Sequence, residues 1–172
     1  MAFDFHDKSV VVIGGTSGIN LGIAEEFARN GARVGVASRS QEKVDAAVEL
    51  LGSHNVQAFG FAVDVRDAKA IEKCMETFYD SLGNFDVLIS GAAGNFPAIA
   101  MGMSSNAFKA VVDIDLIGTF NVMRSAYPFL KKPGASVVNI SAPQAYVPME
   151  LQVHVCAAKS GVDMITRVLA ME

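Results

Sequence analysis

Apolar positions along this chain follow two alternating patterns. Short β-branched runs such as Val10-Val11-Val12-Ile13 read as strands buried on both faces, because a half-exposed strand would alternate with polar residues. Between these runs apolar residues return every three or four positions, the repeat of a helix with one face on a core. Ile19, Ile23 and Phe27 mark a first helix over residues 17–30, with Ser17 as N-cap and Gly31 as a left-handed stop. A strand over 33–37 follows, and Ser38-Arg39-Ser40-Gln41 has the spacing of a capping box opening a helix that carries Val44, Ala47, Val48 and Leu51 on one face. A third strand spans 57–63. A helix from Asp67 presents Ile71, Met75, Phe78 and Leu82 and closes at Gly83-Asn84. The fourth strand, 85–89, runs into a loop of small residues over 90–95. Phe108, Val111, Val112, Leu116, Phe120 and Met123 then predict one long helix over 104–130, broken by Pro133-Gly134. A fifth strand over 136–140, a loop with Pro143 and Pro148, and a helix from Gln152 onward complete the chain.

Strands and helices alternate five times without internal repeats or low-complexity segments. That order predicts an α/β fold, a doubly wound parallel sheet of the Rossmann type in one domain over 1–172, with ligands at the carboxyl ends of the strands. Composition narrows the classes. The chain is 51% apolar, yet no apolar run approaches the roughly 18 residues of a membrane span. The first residues lack the basic and apolar regions of a secretory signal, which makes a cytoplasmic location the expectation. A net charge of −4 with both signs interspersed gives no basic face for nucleic acid or membrane. Cys74 and Cys156 have no ligand-like spacing and are expected to be free thiols on helices, and no metal site is expected.

Candidate chemistry clusters just after the strands. Gly14-Gly15-Thr16-Ser17-Gly18-Ile19-Asn20 joins the first strand to the first helix, where free backbone N–H groups at the positive end of a helix dipole suit a pyrophosphate; a turn that binds nothing uses the same residue types. After the second strand, Ser38 and Arg39 stand where an acidic residue would hold a ribose 2′-hydroxyl. Arginine can instead pair with a 2′-phosphate, which favours NADP(H), or it is a solvated residue in a first helical turn. Asp64 after the third strand can accept from an adenine amino group, cap the next turn, or do both. His6 and His54 read as surface residues.

These pieces resemble the short-chain dehydrogenases/reductases along the whole chain: Gly14 and Gly18, Asp64-Val65, the loop after the fourth strand, Asp115-Leu116-Ile117-Gly118, Asn139-Ile140-Ser141, and Lys159. Departures from that family's pattern are informative. The last motif glycine is Asn20, the Asn-Asn-Ala-Gly loop reads Ser90-Gly91-Ala92-Ala93, and the usual asparagine of the long helix is Asp115. The catalytic serine aligns with Ala142 and the catalytic tyrosine with Val155, which cannot transfer a proton. Ala92-Ala93-Gly94-Asn95-Phe96, Asn106-Ala107-Phe108-Lys109, Asp113-Ile114-Asp115 and Leu151-Gln152-Val153-His154 are similar to the 2,4-dienoyl-CoA reductases, particularly the peroxisomal type, a subgroup without that tyrosine.

The resemblance implies NADPH-dependent reduction of a C=C bond in an unsaturated acyl-CoA. It implies Asp115 and Lys159 as catalytic residues, Lys159 also holding the nicotinamide ribose and Asp115 orienting a proton-carrying water; a purely structural ion pair between two helices is the alternative. It implies cofactor contacts from Gly14, Thr16, Ser17, Gly18, Ile19, Ser38, Arg39, Asp64, Val65 and Ala92. For substrate it implies Arg39 and Arg66 near the CoA phosphates, Phe96, and the turn Ser104-Ser105-Asn106; Phe96 fits a core position equally well. His154, beside the missing tyrosine, reads either as an acid or as a hydrogen-bonded helix residue. A further strand, a turn at the nicotinamide and a substrate lid would follow in the family, so this chain is expected to be a fragment whose fifth strand is left as an apolar edge. Homodimers or homotetramers are the implied assembly. Two other functions remain open: a short-chain dehydrogenase acting on another carbonyl or alcohol, and a nucleotide-binding form without catalysis.

Overall fold

The computed structural model describes residues 3–172. Five parallel strands, β1 (Ser9–Ile13), β2 (Arg33–Ser38), β3 (Ala58–Ala62), β4 (Val87–Ser90) and β5 (Ser136–Asn139), form one sheet in the order β3-β2-β1-β4-β5. The chain winds outward from β1 to β3, then returns across β1 to place β4 and β5 on its other side. Strand order therefore reverses between β1 and β4, where an open α/β sheet offers a crevice. All five residues of β1 are buried, as its unbroken apolar run requires.

Side-chain alternation along β1 sends Val11 and Ile13 to one face and Val10 and Val12 to the other. Helix α3 (Ala68–Leu82) packs Ile71, Met75, Phe78 and Leu82 on the first face, joined there by Val122, Met123 and Ala126 of α5 (Gly118–Ala126). Ala24 and Ala28 of α1 (Gly18–Arg29) and Ala47 and Leu51 of α2 (Gln41–Gly52) cover the second. Gly31 takes the left-handed conformation after α1, as its position predicts.

Several boundaries differ from the sequence expectation. Ser40, not Ser38, caps α2: its hydroxyl accepts from Lys43 N, while Ser38 is the last residue of β2, held there by pairing with Ala62. Ser17 occupies the N-cap of α1 with extended backbone but makes no side-chain cap bond. Strand β4 lies two residues later at its start than the apolar run implies and takes in Ser90. The predicted long helix is interrupted. It consists of α4 (Ser105–Val112), a π turn over Asp113–Ile117, α5, and a short tight turn over Tyr127–Phe129. The final helix, α6, runs over Val153–Leu169. Among the described residues β5 is paired on one side only, and Val137 and Val138 are exposed, as expected of an apolar edge.

Candidate functional site

A cleft of about 280 Å³ opens over the carboxyl ends of β1, β2 and β4, at the reversal of strand order. Gly14, Thr16, Ser17, Ser38, Arg39, Asp64, Val65 and Ala92 are among the residues that line it. Gly14 is left-handed (φ +80°), and a Cβ there would stand 2.8 Å from Ala92 N, so the glycine loop and the loop after β4 touch backbone to backbone. Gly18 is also left-handed, and a Cβ on it would meet nothing within 4 Å, so the start of α1 faces open space. Ile19 is exposed beside it. Such a cradle fits a pyrophosphate, and the buried Ser38 hydroxyl, without a partner in the protein, fits a sugar hydroxyl or phosphate beyond it.

Asn20, Ser40 and Lys43, which carry no site role in the sequence analysis, share this cleft. Lys43 lies in the first turn of α2 and Arg39 just ahead of its cap Ser40, so two cations close together at a helix start were the available signal. Both cations sit at the N-terminal end of α2, where the helix dipole already favours an anion.

Asp64 lines the cleft with its carboxylate engaged by Arg66, whose guanidinium donates to both oxygens, at 3.0 Å to Oδ1 and 2.6 Å to Oδ2. That hydrogen-bonded pairing holds the Asp64 carboxyl below the usual range against the opposing effect of burial. Arg66 itself lies in a neighbouring hollow with Asp67 and Lys69, not in the cleft with Arg39.

Asp115 and Lys159 meet as expected. The Lys159 Nζ lies 3.4 Å from Asp115 Oδ2, with only 7% and 1% of the two side chains exposed. Lys159 also donates to Ile140 O at the end of β5 (3.1 Å), and Gly94 N donates to Asp115 Oδ1 (2.7 Å). Asp115 sits in the π turn, whose extra residue per turn re-aims the side chains of an otherwise regular helix. Two loops, the π turn and α6 thus converge on one ion pair. Asp113, two residues away, pairs instead with Lys109.

Phe96 is 36% exposed on the loop after β4, its ring 4.6 Å from that of His154 in an edge-on arrangement. His154 is fully buried, and neither ring nitrogen has a partner in the protein, so the hydrogen bond expected of a helix histidine there is not made within the chain. Ala98 N donates to Leu151 O (2.9 Å), which ties the same loop to the start of α6. Leu151 holds a left-handed backbone (φ +64°) to present that carbonyl. Ser104 caps α4, and Ser105 and Asn106 are exposed in its first turn, outside the cleft. His6 is exposed as expected, whereas His54 is half-buried against Glu25. No cluster of residues that would hold a metal ion occurs among the described residues.

Comparison with known proteins matches residues 8–172 to the short chain dehydrogenase family model. The chain belongs to the short-chain dehydrogenase family. It is 39% identical over 171 residues to a peroxisomal 2,4-dienoyl-CoA reductase of Arabidopsis thaliana that produces a (3E)-enoyl-CoA, covering 94% of this chain and 57% of that protein. A peroxisomal 2,4-dienoyl-CoA reductase of Rattus norvegicus is 42% identical over 168 residues, covering 96% and 58%. The chain therefore spans less than three-fifths of the length of these relatives. Among solved structures, a short chain dehydrogenase from Bacillus anthracis superposes with a TM-score of 0.90 at 33% identity, covering 96% of this chain and 68% of that one. The Rossmann-type sheet and the glycine cradle are thus those of a short-chain dehydrogenase. No helix among the described residues is long and apolar enough to cross a membrane.

Proposed function

We propose that this chain is the dinucleotide-binding domain of an NADPH-dependent reductase acting on the conjugated C=C system of a 2,4-dienoyl-CoA. The observation that carries the reading is the buried Asp115–Lys159 pair, at a site where Ala142 and Val155 stand in the places of the family's serine and tyrosine. A ketone reductase needs an acid beside the carbonyl oxygen. A dienoyl thioester needs a proton delivered to carbon after charge has passed to the thioester oxygen, and a positive group with an oriented water serves that end.

Bound NADPH would supply hydride. Gly14, Thr16, Ser17, Gly18 and Ile19 would hold its pyrophosphate, Val65 and Ala92 would flank it, and Lys159 would hold the nicotinamide ribose. Arg39 and Lys43 favour a 2′-phosphate: two cations at a helix N-terminus concentrate positive potential where NAD would carry only a hydroxyl. Asp115 would orient the water that donates the proton. The exposed apolar residues Phe96, Ile99 and Met101 after β4, tied to Leu151 ahead of α6, fit an acyl chain. Arg66, in the neighbouring hollow, would take the CoA phosphates while Arg39 holds the 2′-phosphate, and Ser104, Ser105 and Asn106 would make the neighbouring substrate contacts. The exposed Ile117 and Phe120 fit burial in a homodimer or homotetramer. Both relatives above are named peroxisomal, so imaging the tagged protein sets the expected cytoplasmic location against a peroxisomal one.

Turnover decides it. The chain, and any longer protein that contains it, is assayed for NADPH and NADH oxidation with a 2,4-dienoyl-CoA and with simple ketones. Consumption of NADPH with the dienoyl thioester alone is expected. Ketone reduction in its place would contradict the proposal. A second reading, nucleotide binding without catalysis, draws on the same absent serine and tyrosine, and NADPH binding without turnover of either substrate would favour it.

A further inference from the structure

Four of the five residues 94–98, on the loop after β4, each reach another element. Gly94 N donates to Asp115 Oδ1 at 2.7 Å, and Asn95 Nδ2 lies 3.5 Å from Gln152 Oε1. The Phe96 ring meets that of His154 edge-on at 4.6 Å, and Ala98 N donates to Leu151 O at 2.9 Å. Pro97, the fifth, has no N–H to give. The segment therefore begins on the π turn and ends on the residues that lead into α6, and so spans the two elements that supply Asp115 and Lys159. Its last fastening is the strained one. Leu151 turns its carbonyl to Ala98 from a left-handed backbone (φ +64°), in which the Cβ of any residue but glycine is crowded. Leucine lacks the short polar side chain that eases this conformation in asparagine, and Leu151 is 47% exposed, so packing does little to offset the strain. The same conformation closes a turn from Gln152 N onto Met149 O (3.3 Å) just ahead of α6.

We propose that residues 94–98 are a strap that sets the π turn against the start of α6, and that Leu151 is the positioning residue that fastens it. Pro97 limits backbone rotation between the two fastened ends, so movement at Ala98 is passed back to Gly94. Release of Ala98 then takes from Asp115 Oδ1 the donor that complements its bond to Lys159. A strained residue persists where the surrounding structure over-determines it, and here what the strain secures is the carbonyl that holds the strap. The consequence for turnover rests on the reduction proposed above. The strap itself does not.

Amide hydrogen exchange on this chain, followed by NMR, tests the strap without turnover. Leu151→Val puts a β-branched residue where the backbone must be left-handed, whereas Leu151→Asn and Leu151→Gly keep that conformation with less strain. Well below every melting midpoint, Leu151→Val should speed exchange at Ala98 and at Gly94 about tenfold or more and leave Val12 and Leu88 of the sheet unchanged. The asparagine and glycine variants should keep both amides within about threefold of the wild type. Leu151→Ala takes the place of Leu151→Val if the latter does not fold. Acceleration at Ala98 with Gly94 as protected as before would overturn the proposal, since the fastening would then be local, and so would equal losses in the valine and asparagine variants. In NADPH-dependent reduction of a 2,4-dienoyl-CoA, Leu151→Val should lose about tenfold or more in kcat with NADPH affinity within about threefold, and Leu151→Asn should recover most of it. Unchanged kcat in Leu151→Val would overturn the positioning role. Should the wild type turn over no dienoyl-CoA, the proposed function fails while exchange at Gly94 still decides the strap.

Discussion

Burying Asp115 beside Lys159 places two charges where water cannot solvate either, and the pair persists because Gly94 N and Ile140 O complete its hydrogen bonding. Removing one partner leaves the other uncompensated. Lys159→Ala should therefore cost about 3–5 kcal/mol in a denaturant titration, well beyond the ~1 kcal/mol typical of a point substitution. Asp115→Asn in the same background should return part of that loss, and unchanged stability in Lys159→Ala would refute a buried ionic pair. Arg66 acts on Asp64 in a more exposed setting. Its hydrogen bonds lower the folded-state Asp64 carboxyl, so the stabilisation is complete above the unfolded value of about 3.9 and is lost as pH falls through the lower folded value. In Arg66→Ala the Asp64 midpoint, followed by NMR, should rise toward the ordinary range, and a fixed midpoint would show that the guanidinium is not the cause. At this scale the placement of the candidate residues was legible: Gly14 and Arg39 each follow a strand and line the cleft, and Asp115 and Lys159, from separate motifs, meet in one pair. Lys43 and Asn20 were not, since a lysine on a polar helix face and an asparagine in a glycine loop announce nothing until the two loops are brought together.

The elements explain why one helix was misread. Periodicity over 104–130 follows apolar residues every three or four positions, and a single π turn adds one residue to a pattern that already tolerates both spacings. Phe120 registers the slip: the repeat assigned it to the buried face, yet it is 42% exposed, while Val122 and Met123 face the core. The π turn is what brings the Asp115 carboxylate to Lys159 while α4 and α5 stay packed. Helices also separate the two thiols. Cys74 lies on the buried face of α3, where desolvation pushes its thiol up to about 12, whereas Cys156 is partly exposed on α6. A disulfide reagent should therefore label one cysteine in the native protein and two after unfolding. Rapid labelling of both in the native state would mean that α3 does not hold its face against the sheet.

Across the molecule, the strand–helix alternation carried the topology, since right-handed crossovers between parallel strands leave few arrangements of five βα units. Sequence was weaker on surfaces. It anticipated the apolar edge at β5, but not the tie of the β4 loop to Leu151, which needs a left-handed residue that is not glycine. The exposed apolar faces carry a prediction of assembly: light scattering over a range of concentrations should give a dimer or tetramer, and monomer throughout would count against Ile117 and Phe120 as contact residues. The central claim is that a short-chain dehydrogenase frame without its tyrosine does its proton work through the Asp115–Lys159 pair. Comparing kcat for NADPH-dependent 2,4-dienoyl-CoA reduction in the wild type and in Asp115→Asn, with NADPH affinity measured alongside, tests it most directly. The account predicts that kcat falls about 10²–10⁴-fold, by far more than any loss of NADPH affinity. Full turnover in the variant would contradict it.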